Sequence, residues 1–535
     1  MTHRRPSCLT EEMTVLKTCA RAAALAGLLL LAACGSGEGG GEAYDADGKC
    51  LRDTSAEAQG MPSEDRIFGW IADLTRFGNR RTGTVGGQKA AAYMKCRFEA
   101  LGLEDVHYET ATTWKWEATR SSLRVAGEAV DSTPTAFSFI TADKPSVFST
   151  GPGGLNAEIV DVGLGVPIVK DVKGKIVVFD LKFLVPTAAL APLMEFLWDP
   201  ALTTLLDPSL SVLVANPFQT TYETAVQQVL NAGAAGFVGV LADYFNSNKY
   251  YNESYHTAVT IPGVWVAPKD GKRIRALMKA AGDKPTANLV MEGSREETQG
   301  RAVVGTLPGQ SLDTILVTSH HDAAWNGAVE DGSGAASVIA QAQYFASKPA
   351  QERQKTLLFT TMDSHWTGYQ VHKAFAKKYI TDKLTPYNIV GNVTIEHIGK
   401  QGIKDADGNL AVTDQPEFRG IFENLGPSLK LTMINGLIKH DLRRTALLQA
   451  HLLCPTVGIP TDAFACVAGV PTASLIAGPN YLYDEADTLD KVAKDQLVPV
   501  NRFFAELVEA MDATPSALIG IPGISALPTA ASLRE

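Results

Sequence analysis

The stretch DTILVTSHHDAAWNGAVEDGSGAASVIAQAQYFAS, residues 313–347, decides the fold class. It opens with a short run rich in apolar and β-branched residues, and a polar, glycine-containing segment then leads into a longer run of small and apolar residues. A short apolar run beside turn residues is typical of a buried strand, whereas the longer run has helical length. We therefore predict a strand over 313–319 and a helix over 333–347.

The same alternation continues outward from this stretch. KTLLFTTM (355–362), NIVGNVTI (388–395) and PTASLIAG (471–478) have the pattern of further strands, with helices predicted to about residue 380 and over 493–511. Alternating strands and helices are typical of a parallel sheet that is covered on both faces. We predict an α/β fold with a mainly parallel sheet.

Polar side chains follow each of these strands at the point where it ends. His320, His321 and Asp322 follow the first strand, Asp363-Ser364-His365-Trp366 the second, and Glu396-His397 the third. Because ligand sites of open parallel sheets lie at the carboxyl ends of the strands, these side chains are expected to share one crevice. Imidazole and carboxylate groups together suit a borderline divalent ion such as zinc.

Composition excludes several classes of protein. The chain has 535 residues, of which 45% are hydrophobic and 20% charged, as expected for a globular protein of two to four domains rather than a disordered one. Its 48 basic and 58 acidic residues give a net charge of −10, which argues against nucleic acid as a partner.

The first residues resemble an export signal. Lys17 and Arg21 precede the apolar run 22–33, which is too short for a stable membrane span, and Leu31-Ala32-Ala33-Cys34 resembles the lipobox of bacterial lipoproteins. The resemblance implies lipidation of Cys34 and an exported, membrane-anchored lipoprotein on the periplasmic or cell-surface side. The alternative is a plain secretory signal.

Four cysteines remain after the residues of the leader and Cys34 are set aside. An even number in an exported chain favours disulfides, and the candidates are Cys50, Cys96, Cys454 and Cys466. The sequence does not fix their pairing.

A middle segment resembles the protease-associated domain. The similarity lies in the strand KGKIVVFDL, the helix and strand ETAVQQVLNAGAAGFVGVL, and the closing IPGVWVAPKDGKRIRAL, which together span most of 155–282. Such a domain is usually inserted in a larger peptidase. The predicted organisation is a signal peptide (1–33), a linker (34–61), a first peptidase-like part (62–115), the insert (116–290), a second peptidase-like part (291–512) and a tail (513–535).

Five segments resemble the co-catalytic zinc aminopeptidases of clan MH, which also include glutamate carboxypeptidases and the catalytically silent transferrin receptor. The resemblance covers most of 62–512. The segments are RRTGTVGGQKAAAYMKCRFEALGL (80–103), SHHDAAWNGAVEDGSGA (319–335), KTLLFTTMDSHWTG (355–368), NVTIEHIG (392–399) and YLYDEADTLDKV (481–492).

Compared residue by residue, the first metal site is better preserved than the second. His320 stands at a zinc-ligand position, Asp322 where a carboxylate orients that imidazole, Glu330 at the bridging aspartate and Glu396 at another aspartate ligand. His365 replaces the general-base glutamate. At the second metal, Trp366 replaces a glutamate ligand and Tyr483 a histidine.

The resemblance therefore implies one zinc ion, held by His320, Glu330 and Glu396, rather than two. An open coordination position would allow hydrolysis of a peptide or amide bond with His365 as the base, the activity of a zinc metallo-exopeptidase-like hydrolase. If His365 also binds the ion, the site is closed and structural. The alternative function is a non-catalytic binding or scaffold protein on this fold.

Some assignments within the crevice stay open at this point. Adjacent strand residues point to opposite faces, so either Glu396 or His397 faces the crevice, and His321 is expected to point away from His320. Asp331 is an alternative to Glu330. Either Asp484 or Glu485 offers a carboxylate that Tyr483 does not supply. A serine hydrolase is disfavoured because no GxSxG motif is present.

Overall fold

The computed structural model describes residues 60–521, except for 142–143, 185–193, 207–216, 219, 253–257, 451–463 and 465–467. Its helices are α1 (Glu64–Thr75), α2 (Val85–Ala100), α3 (Thr203–Leu206), α4 (Tyr222–Asn231), α5 (Pro268–Ala281), α6 (Gly334–Ala346), α7 (Gln370–Phe375), α8 (Pro427–Lys439) and α9 (Leu497–Ala513). The predicted leader, linker and Cys34 lie outside these residues, apart from the end of the linker at 60–61. Within the described part of the chain, no helix has both the length and the apolar character needed to cross a bilayer.

The strands pair into a large mixed sheet and one small hairpin. The first ten are β1 (Glu104–Val125), β2 (Glu128–Val130), β3 (Thr133–Pro134), β4 (Ser146–Ser149), β5 (Leu155–Asp161), β6 (Ile176–Asp180), β7 (Met194–Trp198), β8 (Gly236–Val240), β9 (Gly263–Val266) and β10 (Thr286–Leu307). The others are β11 (Ser311–His320), β12 (Lys355–Met362), β13 (Asn388–Ile395), β14 (Lys400–Lys404), β15 (Leu410–Pro416), β16 (Arg419–Glu423), β17 (Thr445–Gln449) and β18 (Thr472–Ala477).

The parallel centre of the sheet confirms the predicted fold class. β12, β11, β13 and β18 lie side by side in this order and run parallel, with β10 antiparallel at one flank and β16 at the other. The predicted strands 355–362 and 388–395 match β12 and β13 residue for residue. Every residue of β12 is buried, which explains why its sequence does not alternate between apolar and polar residues.

Residues 155–281 contribute a second parallel region, in which β5, β6, β8 and β9 are neighbours. β5 also pairs with β10, so this region continues the same sheet. The strands and helices predicted from the resemblance to a protease-associated domain are present. The identity and the bounds of the insert stay a prediction.

Helix α6 is packed directly against the parallel centre. All but two of its thirteen residues are buried, so nearly every side of the helix packs against protein. A short kinked segment, Ala328–Ser333, precedes it and carries Glu330 and Asp331, whose backbone angles are not helical. The first residue of the helix is a glycine, Gly334, because a Cβ there would lie 2.1 Å from Asp331 Oδ2 and 2.3 Å from the carbonyl oxygen of Ile395.

Candidate metal centre

Parallel pairing brings three chain segments to one edge of the sheet. His320 is the last residue of β11 and pairs with Met362, the last residue of β12, while β13 ends beside them at Ile395. The polar residues that follow each strand therefore meet in one place, as the sequence predicts for carboxyl ends of parallel strands.

A buried arginine shapes the loop that leads from His320 to Glu330. Arg80 is fully buried, and its guanidinium donates to the carbonyl oxygens of His321 at 2.9 Å, Gly327 at 2.8 Å and Asn326. Burial lowers the pKa of Arg80 to about 10, so the group stays charged near neutral pH. One buried cation therefore holds three carbonyl groups of the loop, which fixes the path of the loop.

A buried carboxylate holds the backbone at Glu330 itself. Asp487 accepts the N–H of Glu330 at 2.8 Å and the N–H of Val329 at 2.9 Å. Because one carboxylate holds both backbone N–H groups, the backbone at Glu330 is fixed. This restricts the direction in which the Glu330 side chain points.

His320, Glu330 and His397 converge on one point. Each offers one ligand atom, and these atoms lie within 4.8 Å of one another. His320 Nε2 is 3.3 Å from Glu330 Oε1, and His397 Nε2 contacts Glu330 Oε2. All three side chains are almost completely buried, at 0%, 1% and 1% exposure.

The donor set fits a divalent metal ion. His320 Nε2, His397 Nε2 and both carboxylate oxygens of Glu330 are buried and face one another. Buried polar atoms are costly unless they are satisfied, and two imidazoles with a carboxylate are a common zinc ligand set.

The charges of the three groups shift one another's pKa values. Burial lowers the pKa of His320, but the charge of Glu330 and the bond to Asp322 outweigh it, so the pKa stands well above the ordinary value. Burial alone would raise the pKa of Glu330, whereas His397 and His320 bring it well below the ordinary range. The three groups therefore form a strongly polar cluster in the buried interior of the protein.

The structure brings His397, rather than Glu396, into this group. His397 has a φ of 59°, in the left-handed region, so the chain turns there and strand alternation is lost. Glu396 borders the group, with Oε2 4.0 Å from His397 Nε2. The ring of His397 is oriented by a contact of 2.8 Å between its Nδ1 and the carbonyl oxygen of Ala477.

Asp322 lies behind His320, at the position where the resemblance to the zinc aminopeptidases implies a carboxylate that orients the imidazole. Its Oδ1 is 3.1 Å from His320 Nδ1. Its other oxygen accepts the backbone N–H of His365 at 3.0 Å. One carboxylate thus links the first ligand to the predicted base, and an oriented imidazole is what metal-binding histidines usually require.

His365 lies beside the three ligands but outside the group. Its ring stacks on that of His320 with centroids 4.1 Å apart, and its Nε2 is 4.0 Å from Glu330 Oε1. The same Nε2 is 3.4 Å from the hydroxyl of Tyr369. This position is adjacent to the cluster and suits a group that accepts or donates a proton.

Aromatic rings occupy the positions at which the resemblance to the zinc aminopeptidases places ligands of a second metal ion. Trp366 is fully buried and contacts Tyr483 edge-on with ring centroids 4.8 Å apart. Phe218 contacts Tyr483 and also stacks on His397 at 6.1 Å. These three side chains, of Trp366, Tyr483 and Phe218, form an aromatic wall beside the cluster.

The remaining candidate residues take part in other contacts. His321 points away, with Nδ1 3.1 Å from the Thr361 hydroxyl, and burial lowers its pKa to about 4. Asp331 accepts the N–H groups of Gly334 and His397, so it supports the loop instead of the ligand cluster. Asp484 accepts a hydrogen bond from Ser247 at 2.7 Å, and Glu485 is exposed.

Of the four candidate disulfide cysteines, Cys96 is buried in α2. The others lie outside the described residues, namely Cys50, Cys454 and Cys466. The disulfides therefore stay a prediction.

Comparison with protein families identifies the part of the chain that carries this centre. Residues 302–508 match the model of peptidase family M28. This part of the chain is therefore similar to peptidase family M28. The matched part contains all of His320, Glu330, His365 and His397. No curated protein matches the chain.

Solved structures share the fold over most of the chain. The peptidase M28 precursor of Shewanella amazonensis SB2B superposes with a TM-score of 0.60 at 18% identity, over 85% of this chain and 95% of that one. The zinc aminopeptidase BSAP of Bacillus subtilis gives 0.57 at 15% identity, over 86% and 98%. An aminopeptidase from Aneurinibacillus sp. strain AM-1 gives 0.52 at 18% identity, over 86% and 96%.

Some residues of the centre carry no clear signal in the sequence. Arg80 is one of two adjacent arginines, and nothing local indicates that it donates to a loop 240 residues away. Asp487 lies within the segment that resembles the family, yet its contact with Glu330 depends on the tertiary fold. Tyr369 and Phe218 are ordinary aromatic residues in sequence, and only the structure places them beside His365 and His397.

Proposed function

We propose that the chain is a metal-dependent hydrolase of peptide or amide bonds with a single-metal site formed by His320, Glu330 and His397. The observation that supports this most is the convergence of three buried side chains whose ligand atoms lie within 4.8 Å of one another, in the part of the chain that matches a peptidase family. Three protein ligands leave coordination positions open for water and substrate.

A bound zinc ion supplies Lewis acidity, which polarises a carbonyl group and activates water. Around it, each residue has a separate task. Asp322 orients His320, and the aromatic wall limits access of bulk water. His365 takes a proton from the attacking water and returns it to the leaving amine, since its imidazole lies beside Glu330, with Nε2 4.0 Å from Oε1.

The aromatic wall supports one ion rather than two. Trp366 offers no ligand atom for a metal, and its ring packs against Tyr483 where the family comparison places the second ion's ligands. A charged ion beside these rings would lack carboxylate ligands, and an unpaired charge is unfavourable in a buried apolar setting.

One observation favours the second candidate, a non-catalytic binding protein. His365 replaces the family's carboxylate base, and it stacks on His320 at 4.1 Å in a nearly parallel arrangement. If this stacking holds the imidazole away from water, the fold binds a ligand without hydrolysing it.

The test is hydrolysis by the full-length protein of a panel of aminoacyl p-nitroanilides, dipeptides and blocked peptides, with zinc and after chelation. We expect turnover that chelation removes and zinc restores, and that H365A lowers about 10²–10⁴-fold while zinc remains bound. His440 is paired with Glu506 and lies outside the cluster, so H440A is the matched control. Zinc binding without turnover of any substrate would favour the binding protein.

We also propose that the chain is exported and anchored to the membrane through lipidated Cys34. A separate proposal is that residues 116–290 form an inserted protease-associated domain. The motif Leu31-Ala32-Ala33-Cys34 supports the anchor. The test is expression in a bacterial host with a radiolabelled fatty acid. Label should enter the wild type and be absent from C34S, and an unlabelled wild type would contradict the anchor.

A further inference from the structure

Two tryptophans flank one buried tyrosine next to the metal centre. Tyr251 is 5% exposed, and the indoles of Trp325 and Trp366 contact it edge-on, with ring centroids 6.4 Å and 5.4 Å away. The guanidinium of Arg81 lies over the same tyrosine ring, 5.4 Å from its centroid. Four side chains from distant parts of the chain therefore surround one small region.

This region offers donors that lack acceptors. The Nε1 atoms of Trp325 and Trp366 are buried, and neither has a hydrogen-bond partner in the described chain. Arg81 donates to Asn79 Oδ1 at 3.3 Å and to the Tyr251 hydroxyl, and its charge is paired with no carboxylate among the described residues. A buried donor without an acceptor is unfavourable, so a ligand that supplies acceptors would be favoured there.

The nearby acids do not serve these donors. Asp322 is engaged by His320, by the backbone of His365 and by the Thr82 hydroxyl at 3.4 Å. Glu117 is paired with Lys115 at 3.3 Å. The region is thus rich in donors and has a cationic group.

The region is directly next to the proposed active site. Trp366 follows the predicted base in sequence, and its ring centroid is 5.2 Å from that of His365. Thr82, which follows Arg81, accepts the backbone N–H of Ser364 at 2.8 Å. A substrate held at the metal centre could therefore reach these donors with its neighbouring groups.

We propose that Arg81, Trp325 and Trp366 form a subsite for a carboxylate of the substrate. The planar guanidinium matches a carboxylate, and the two indole N–H groups add neutral donors. The substrate class is then a peptide or amide that carries a free carboxylate close to the bond that is cleaved. This inference rests on the proposed single-metal function, because the metal centre fixes the other end of the substrate.

The test compares two hydroxamates on the zinc-loaded full-length protein by calorimetry. Succinic acid monohydroxamate carries a carboxylate, and its monoamide is the neutral isostere. We expect the carboxylate probe to bind about tenfold more tightly, R81Q to remove the preference, and W366F, which keeps the aromatic ring, to reduce it. R124Q is the matched control, since Arg124 is exposed and donates to the Gly127 carbonyl.

The outcomes separate this inference from the proposed function. If zinc is bound and both probes bind equally, or if R81Q keeps the preference, the carboxylate subsite is wrong and the metal centre stands. If the protein binds neither zinc nor probe, the proposed function fails first. Zinc content and thermal unfolding of each variant show whether a loss of binding reflects the subsite or the fold.

A second comparison identifies the source of the carboxylate. The ligands are Leu-Gly, whose carboxylate is terminal, Leu-Gly amide, which has none, and Leu-Asp amide, whose carboxylate is on the side chain. Tighter binding of either acid than of Leu-Gly amide, lost in R81Q, supports the subsite and names the group it takes. Equal binding of all three contradicts it.

Discussion

The carboxylate of Asp487 accepts the backbone N–H of Glu330 with Oδ2 2.8 Å from the nitrogen, and the same carboxylate accepts the N–H of Val329. Asp487 therefore acts on the metal centre through the backbone rather than through a side chain. The position of the Glu330 carboxylate depends on a residue more than 150 positions later in the chain.

Replacing Asp487 should weaken both the fold and the metal site. D487A leaves two buried N–H groups without an acceptor, and we expect a loss of about 2–3 kcal/mol in the free energy of unfolding. Zinc affinity should fall about 10–100-fold, as for other residues that support a ligand. Urea unfolding and competition with a chelating dye measure the two effects. D490N, at an exposed position on the same loop, should change neither, and unchanged zinc affinity in D487A would contradict the assigned role.

Arg80 should be important for stability because it is a buried cation among acids. Asp487, Asp322, Asp331 and Glu330 all raise its pKa against the effect of burial. R80M removes this charge and takes a donor away from three carbonyl groups, so we expect a loss of about 3–5 kcal/mol in the free energy of unfolding, measured with urea. The control is R76M, at an exposed arginine of which one nitrogen is 3.1 Å from Asp73. A loss in R80M no larger than that in R76M would show that the loop does not need this cation.

The sequence predicts the centre of the fold well because its signals are local. β12 is a short run of apolar and β-branched residues after Lys355 and is followed at once by Asp363, so the sequence predicts both the bounds of the strand and the position of its end in the crevice. His320 is equally clear, since it is the last residue of a buried strand.

The choice between Glu396 and His397 could not be made in this way. Strand alternation allows one of the two to face the crevice, but the left-handed φ of His397 ends the alternation and lets both approach the cluster. Arg80, Asp487 and Phe218 were missed for a different reason. Their contacts join segments that are far apart in the chain, and no periodic pattern encodes them.

The stability of the protein should depend on pH through Glu423. Burial raises the pKa of Glu423 to about 7, although Lys430 lies 2.8 Å away. A carboxyl group with a raised pKa contributes stability that is present below its unfolded pKa of 4.5 and is lost as the pH rises through about 7. The wild type should therefore lose up to about 3 kcal/mol relative to E423Q over this window.

Thermal unfolding of both proteins from pH 4 to pH 8 measures this difference. E506Q is the control with the opposite sign, because Lys439 and His440 outweigh burial and lower the pKa of Glu506. Wild-type protein that gains stability relative to E423Q with rising pH would contradict the prediction.

Tyr369 should support catalysis by holding His365. Its hydroxyl is 3.4 Å from His365 Nε2, and its φ of 57° places it in the left-handed region that is costly for a residue with a side chain. We expect Y369F to lower kcat several-fold, to change KM little and to leave zinc content unchanged. If kcat and its pH profile match the wild type, the hydroxyl has no such role.

The most direct test of the account is the zinc content of the purified full-length protein and its single variants. Plasma emission spectrometry should find about one zinc ion per chain in the wild type, in E396Q and in the control H440A, and none in H320A or H397A. A chain without zinc, or zinc that is lost in E396Q and kept in H397A, would contradict a centre built on His320, Glu330 and His397.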